Sequence, residues 1–173
     1  MGVSEANALC MQCGLCCDGT FYGSVVIEDA ELPRLARVGL RVIRDVESGV
    51  ATMAQPCSAL QGCLCAVYEE RPAACARYEC SLRKKLAVDG CTLDAALACV
   101  SQMRALLVRI RVGLECPESL SIWERILQMD DPTTPEEAAA ASQRYGDAIT
   151  AVGELLALGR ASFEPRFAGG GTR

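Results

Sequence analysis

The chain has 173 residues, of which 51% are hydrophobic, and its formal net charge is −5. This length and apolar content suit one globular domain, or one core with an appended helical part. The acidic balance disfavours a nucleic-acid-binding surface, so we expect no nucleic-acid partner. No apolar run reaches the roughly 18 to 20 residues that would span a bilayer, so we expect no membrane partner.

Twelve cysteines and no histidine dominate the composition. The first residues, MGVSEANAL, lack the basic and apolar stretches of a secretion signal, so we expect a cytoplasmic location. A reducing compartment disfavours a disulfide framework, and clustered cysteines then indicate metal ligands or redox groups. The lack of histidine excludes Ser-His-Asp and Cys-His catalytic pairs and mixed His/Cys zinc sites. A metal must be held mainly by thiolates, which favours zinc, iron–sulfur clusters or copper(I).

The first predicted element in chain order is the cysteine run CMQCGLCC at residues 10–17. Cys10 and Cys13 have the spacing at which a tight turn directs two thiolates at one metal ion. Together with Cys16 they have the spacing of the first three ligands of a ferredoxin-type cluster. Adjacent side chains point apart in helices and strands, so we expect Cys16 and Cys17 not to serve one tetrahedral ion. The simplest hypothesis is two metal sites between which this adjacent pair is divided.

Three short elements are predicted between this run and the next cysteines: a strand, a helix and a hairpin, at residues 20–27, 28–39 and 40–53. In the helix, Asp29 is placed to cap the start and Gly39 to end it. The hairpin has two β-prone runs on either side of Glu47-Ser48-Gly49. This part of the chain is therefore predicted to be a small α+β region.

A second group of five cysteines lies within residues 56–80: Cys57, Cys63, Cys65, Cys75 and Cys80. Two four-thiolate sites need eight ligands, so this group would supply what the first group lacks. Cys91, Cys99 and Cys116 follow at wide spacing, and we interpret them as small buried hydrophobes. The metal chemistry is therefore predicted to belong to roughly the first half of the chain.

A helix is predicted after Cys91 because apolar residues recur at helical spacing. The stripe consists of Leu93, Leu97, Val100, Met103, Leu107, Ile110 and Leu114. Thr92 is placed to cap the start of this helix, and Gly113 lies near its end.

Two more helices are predicted further on. Residues 121–129 form one, with Ser121 and Glu124 as a capping box. The other is capped by Thr134, has Pro135 at its first position and Glu137 at its third, and runs towards Leu158. Its apolar face would consist of Ile149, Val152, Leu155 and Leu156.

The combined cysteine pattern resembles a known family. C-x2-C-x2-C-C, then P-C, then C-x-V-Y-E-x-R-P-x2-C-x4-C is similar to the YkgJ-type cysteine-cluster family, which is described as a zinc- or iron-chelating domain. The resemblance implies eight metal ligands: Cys10, Cys13, Cys16, Cys17, Cys57, Cys65, Cys75 and Cys80. Cys63 is an additional cysteine, and either it or Cys65 could be the ligand; Cys65 fits C-x-V-Y. The family often has arginine directly after the cysteine matched by Cys75, whereas this chain has Ala76 there and Arg77 next.

Basic and aromatic side chains near the second group are candidates for the surroundings of the metal. Tyr68 and Arg71 belong to the Y-E-x-R-P motif, and Arg77 lies between the last two cysteines. Nearby cations lower the pKa of thiols and donate hydrogen bonds to thiolates. Arg83, Lys84 and Lys85 follow just after the group and would serve the same purpose.

The resemblance implies metal binding and leaves the biological role open. Our main expectation is a non-catalytic protein that chelates zinc or iron, with a structural, metal-handling or partner-binding role. The alternative is an iron–sulfur protein with redox or protein-modification activity, because a similar cysteine motif occurs in a flagellin lysine methylase. A metal-free thiol switch, using Cys16 with Cys13 or Cys17, ranks last because it leaves six motif cysteines without a purpose.

The expected fold is mainly α, with a small, irregular, metal-bound α+β region at the N-terminal end and a helical C-terminal half. Residues 1–90 would form the cysteine-cluster region, with a motif core at 10–80. Residues 91–160 would form a helical region packed on it and available to a protein partner. Residues 161–173, which end in FAGGGTR, would form a flexible tail.

Overall fold

The computed structural model describes residues 5–88, 90–117 and 120–163. The helices within these ranges are α1 Glu5–Cys13, α2 Leu32–Arg37, α3 Ala73–Arg77, α4 Ser81–Ala87, α5 Leu93–Gly113, α6 Ile122–Leu127 and α7 Pro135–Phe163. The strands are β1 Ser24–Ile27, β2 Ile43–Arg44, β3 Ala51–Ala54, β4 Leu60–Gln61 and β5 Leu64–Cys65. The predicted class, mainly α with a small β component, is confirmed.

The chain divides into two compact units. The described residues up to Leu97, together with Phe163, form the first unit, and Ala98–Ser162 form the second. The division passes through α5. The first unit contains both predicted cysteine groups, and the second consists of helices and their connections.

The first unit is built on a three-stranded antiparallel sheet in the order β1-β3-β2. The predicted hairpin at 40–53 is confirmed as the β2–β3 pair, and the predicted strand at 20–27 is confirmed only in its second half, as β1. Alternate residues of β3, Ala51 and Met53, face inward. They join an apolar core that consists of Ile27, Leu35, Leu40, Ala51, Met53 and Ala59. Further buried apolar side chains of this unit include Leu9, Leu15, Phe21, Leu82, Leu86 and Phe163.

The predicted helix at 28–39 is a 3₁₀ turn, Asp29–Glu31, followed by α2. Gly39 ends it as predicted, with a φ of 76° that favours glycine. The prediction that Asp29 caps the start is wrong. Glu28 stands at the N-cap position, and the Asp29 carboxylate pairs instead with Arg44 of β2 at 2.7 Å.

The predicted helix after Cys91 is confirmed as α5, and Thr92 Oγ1 accepts a hydrogen bond from the Ala95 N–H at 3.2 Å. Most of the predicted stripe is buried or half-buried. Near the helix end, Gly113 meets α7 closely: a Cβ added at Gly113 would lie 2.7 Å from Cβ of Ala148. Small residues therefore bring the two helices together inside the second unit.

The two later helices have the predicted caps. Ser121 and Glu124 form a complete capping box at the start of α6. Thr134 accepts a hydrogen bond from the Glu137 N–H at 3.2 Å at the start of α7. The helix α7 continues beyond the predicted Leu158 to Phe163, so residues 161–163 are helical. The rest of the predicted tail lies outside the described residues.

The predicted apolar face of α7 is partly wrong. Leu155 is fully buried, but Ile149 is 56% exposed. The buried line runs instead through Ala148 and Ala151. The reason is the close approach at Gly113, which small side chains permit and a branched isoleucine does not.

In the parts of the chain that are described, none of the helices is both long enough and apolar enough to cross a membrane.

Candidate metal centre

The first cysteine group begins on a helix and ends in a turn. Cys10 and Cys13 both belong to α1, three residues apart, so their side chains share one face of the helix. The helix ends at Cys13, and Gly14 follows with a φ of 69° that favours glycine. The Cys17 N–H donates to the Gly14 carbonyl at 2.8 Å, which closes the turn that carries Cys16. The expectation of a tight turn between Cys10 and Cys13 is therefore wrong, because both residues lie in the helix and the turn begins only after Cys13.

The adjacent cysteines lie in contact. The Sγ atoms of Cys16 and Cys17 are 3.6 Å apart, so the expectation that they point apart is wrong. That expectation holds for regular helices and strands, whereas these residues occupy the turn after Gly14. Their hydrogen bond raises the pKa of Cys16, to which burial adds, and lowers the pKa of Cys17. Cys17 is therefore the member of the pair that ionises more readily.

The second cysteine group begins next to the first. The Cys57 N–H donates to the Cys17 carbonyl at 2.8 Å. The strands β4 and β5 then pair as a hairpin, with Cys65 on β5. Gly62, with a φ of 63°, and Cys63 form the two-residue turn of this hairpin. The two candidates for one ligand position therefore differ in place, because Cys65 lies in a strand and Cys63 lies in a turn.

Of the last two motif cysteines, one lies in a short helix and the other lies just before the next helix. Cys75 is in α3 and packs, like Cys57, against the apolar core. Cys80 precedes α4, where its sulfur accepts a hydrogen bond from the Arg83 N–H at 3.5 Å. A guanidinium nitrogen of Arg83 also donates to Cys10 Sγ at 3.9 Å. Arg83 thus connects a cysteine of α1 with the start of α4.

One cavity of about 670 Å³ brings the motif cysteines together. Its wall includes all eight predicted ligands and also Cys63: Cys10, Cys13, Cys16, Cys17, Cys57, Cys63, Cys65, Cys75 and Cys80. Cys91, Cys99 and Cys116 do not line it and are half-buried rather than fully buried. Cys99 contacts the Ser162 hydroxyl at 3.2 Å, and Cys116 accepts a hydrogen bond from Arg111 at 3.7 Å. The cavity therefore separates the motif cysteines from these three.

Thiols of the first group oppose one another's ionisation. After the contact with Cys17 and burial, nearby Cys13 and Cys10 raise the pKa of Cys16 further. The pKa of Cys80 is raised mainly by burial, and Cys10 adds to the rise against a backbone hydrogen bond that lowers it. Cys10 therefore lies close both to Cys16, in the first cysteine group, and to Cys80, in the second.

A second set of thiols behaves in the same way. Burial is the main cause that raises the pKa of Cys75 to about 12, and Cys17, Cys57 and Cys65 raise it further. The pKa of Cys57 is raised first by burial and then by Cys17 and Cys65, against backbone hydrogen bonds that lower it. Thiols in such surroundings ionise readily only beside a positive charge, which a metal ion supplies.

The side chains expected around the ligands have different environments. The Arg71 guanidinium lies 3.9 Å from the ring centroid of Tyr68, and its charge lowers the pKa of Cys75. Both Arg71 and Tyr68 line the cavity. Arg77 instead pairs at 3.0 Å with Glu28, and both side chains are exposed. A role of these three residues beside a metal stays a prediction.

The cavity wall also contains polar side chains that the sequence did not assign to the site. The Tyr22 hydroxyl donates to the Tyr78 hydroxyl at 2.9 Å, and Tyr78 donates to the Phe163 carbonyl at 3.1 Å. Burial raises the pKa of Tyr78. Gln55 Oε1 is buried and has no hydrogen-bond partner among the described residues. No local pattern singles out Gln55, because its place depends on the pairing of distant strands.

The donor set fits a metal that prefers sulfur, although the ligand positions are not closed. Nine thiols line the cavity, and sulfur ligands suit zinc, iron–sulfur clusters and copper(I). As the described side chains stand, no three Cys, Asp or Glu residues are arranged so that they could hold one ion. Four-sulfur coordination therefore requires the thiols to approach one another from these positions.

Comparison with known proteins gives one match. The family model CxxCxxCC, described as a "putative zinc- or iron-chelating domain", matches residues 9–96, about half of the chain. The matched span contains every cysteine that lines the cavity. A search of curated proteins and a search of solved structures found no match.

Proposed function

The chain belongs to the CxxCxxCC family of zinc- or iron-chelating domains, and we propose that it binds zinc or iron through eight cysteine thiolates. The proposed ligands are Cys10, Cys13, Cys16, Cys17, Cys57, Cys65, Cys75 and Cys80. The observation that carries the proposal is that these residues, from two sequence groups and several separate elements, line one cavity. Packing preference alone does not gather so many thiols in one place.

The raised pKa values of several thiols also support metal binding. Burial and mutual repulsion raise the pKa of Cys75, Cys57 and Cys80, so these groups stay protonated without a nearby positive charge. A bound zinc or iron ion supplies that charge and takes thiolates as ligands, with release of their protons. Arg83 and Arg71 reduce the remaining negative charge at two places on the cavity wall.

The role that fits this arrangement best is a structural or metal-handling one. Buried apolar side chains of the first unit, such as Leu9, Leu40 and Met53, line the cavity together with the thiols. A metal held by thiolates from several separate elements would add its binding energy to the folding energy of these buried side chains. The helical residues would then be available to a protein partner.

A second candidate function is that of an iron–sulfur protein with redox or protein-modification activity. Cys10, Cys13 and Cys16 have the spacing of ferredoxin ligands, and Arg83 connects Cys10 to the distant Cys80. Three thiols close together in sequence and a fourth far along the chain are the usual ligand set of such a cluster. This observation favours iron with sulfide over a single iron ion.

The test is to purify the protein anaerobically without added metal and to measure zinc, iron, acid-labile sulfide and the visible spectrum. We expect bound zinc or iron in the wild type and in Cys99→Ser, the matched control in the second unit, and less metal in Cys75→Ser. Zinc without colour supports the structural role, and iron with sulfide in a brown protein supports the second candidate. A wild type that holds neither metal, even after anaerobic loading, contradicts the proposal.

A further inference from the structure

Four of the eight thiols belong together at the end of α1. Cys10 and Cys13 share a helix face, and Cys16 follows in the turn that Gly14 begins. The helix α4 packs against α1, and Cys80 stands at its start. Arg83 contacts the sulfur of Cys80 through its N–H and the sulfur of Cys10 through its guanidinium. We name Cys10, Cys13, Cys16 and Cys80 the helix-end group.

The other four thiols belong together around the β4–β5 hairpin. The Cys17 carbonyl accepts the Cys57 N–H at 2.8 Å, so these two residues are joined through the backbone. The Leu60 N–H donates to the Cys57 carbonyl at 3.0 Å, and Leu60 is paired with Cys65 across the hairpin. Cys57 and Cys75 pack against the same apolar core. We name Cys17, Cys57, Cys65 and Cys75 the hairpin group.

The contact at 3.6 Å between the Sγ atoms of Cys16 and Cys17 is the place where the two groups meet.

From these contacts we propose that the protein holds two metal centres, one bound by the helix-end group and the other by the hairpin group. The adjacent cysteines, Cys16 and Cys17, would then serve different centres. In the cysteine run of two-cluster bacterial ferredoxins, the first three cysteines likewise bind one cluster and the fourth binds the other. This inference rests on the proposed function and adds to it the assignment of each ligand to a centre.

Pairs of substitutions test the assignment through the metal content of anaerobically purified protein. Cys13→Ser and Cys80→Ser each remove one centre, so we expect half of the wild-type metal in either variant and also in their combination. Cys65→Ser combined with Cys75→Ser is expected to retain half in the same way. Cys13→Ser combined with Cys75→Ser crosses the two groups and is expected to remove all of the metal. Cys99→Ser, outside the cavity, is expected to retain the wild-type content.

A measurement on the unsubstituted chain keeps the assignment testable if a variant fails to fold. The metal-loaded protein is exposed to a chelator together with N-ethylmaleimide, and labelled cysteines are identified over time by peptide mass spectrometry. We expect the four thiols of one group to become labelled together, at a different rate from the four thiols of the other. Cys16 and Cys17, although adjacent, are expected to fall into different classes.

The outcomes separate this inference from the proposed function. If the wild type binds metal but the substitutions reduce the metal content in a pattern that groups the cysteines differently, the assignment is overturned and the proposed function stands. One labelling class that contains all eight thiols also overturns the assignment. A wild type that binds no metal overturns both.

Discussion

The two compact units of this chain are built differently. The first unit surrounds a cavity lined by nine thiols as well as by buried apolar side chains. The second unit is made of capped helices, and α5 and α7 approach closely where Gly113 meets Ala148. A packed helical unit needs no ligand for its stability, whereas we expect a unit built around many thiols to depend on the metal that they bind. Half of the molecule should therefore respond to metal, and the other half should not.

Removal of the metal should have the largest effect, and it should be confined to the first unit. Structural zinc sites contribute on the order of 10 kcal/mol to folding, which is comparable to the whole net stability of a typical domain. We expect a chelator to abolish amide protection in residues 20–80 and to leave residues 98–162 protected. Hydrogen exchange followed by mass spectrometry measures this, and restoring the metal is the control. Equal protection of residues 20–80 with and without metal would contradict the comparison.

Within the first unit, the hairpin offers a matched pair of cysteines. Cys65 lies on β5, and Cys63 lies in the turn two residues earlier. We expect Cys65→Ser to lower the metal content by half and Cys63→Ser to leave it unchanged, because Cys57 and Cys75 both have Cys65 as an electrostatic neighbour. Metal analysis of the two purified variants decides between them. The reverse result would assign the ligand to Cys63.

The second unit should respond to loss of buried volume and not to metal. Leu155→Ala should lower the free energy of unfolding of this unit by about 2–5 kcal/mol, because the side chain is fully buried. Ile149→Ala on the same helix is the control, and it should cost far less because Ile149 is 56% exposed. Denaturant unfolding measures both values. Equal losses for the two variants would show that Ile149 is buried, as the sequence alone predicted.

The close approach of α5 and α7 gives a pair of glycines with opposite expectations. Gly113→Ala places a Cβ 2.7 Å from that of Ala148 and should destabilise the second unit by about 1–3 kcal/mol. Gly153→Ala, on α7 with open space around its Cα, should stabilise by up to about 1 kcal/mol through helix propensity. Thermal melting of the two variants should show shifts in opposite directions. A stabilising Gly113→Ala would exclude the close contact.

The smallest expected effect is at a helix cap. Ser121→Ala removes the hydroxyl that accepts the Glu124 N–H at 3.1 Å, and it should cost about 1 kcal/mol. Ser101→Ala, at an exposed position inside α5, should change the unfolding free energy by less than about 0.5 kcal/mol. Both variants should keep the wild-type metal content. Loss of metal from Ser121→Ala would show that metal binding by the first unit depends on the stability of the second.

Local features of the fold could be predicted from the sequence. Caps at Thr92, Ser121 and Thr134 and the stop at Gly39 were predictable because each depends on a few neighbouring residues. The exposure of Ile149 was not, because it depends on a distant helix whose glycine allows close packing.

In the candidate site, too, features that depend on local sequence could be predicted, and features that depend on tertiary contacts could not. Cysteine spacing and the family resemblance indicated which thiols would gather, and the family match supports that resemblance. They could not indicate that Cys80 would stand near Cys10, because Arg83 and the packing of α4 on α1 make that connection. The contact of Cys16 with Cys17 depends on a turn whose conformation no periodic pattern describes.

X-ray absorption at the metal edge of the anaerobically purified protein tests the central claim most directly. If thiolates hold the metal, the fitted ligands should be sulfur atoms only, four per metal, at about 2.3 Å for zinc. Cys99→Ser should give the same spectrum as the wild type. A metal surrounded mainly by nitrogen or oxygen ligands would contradict the account.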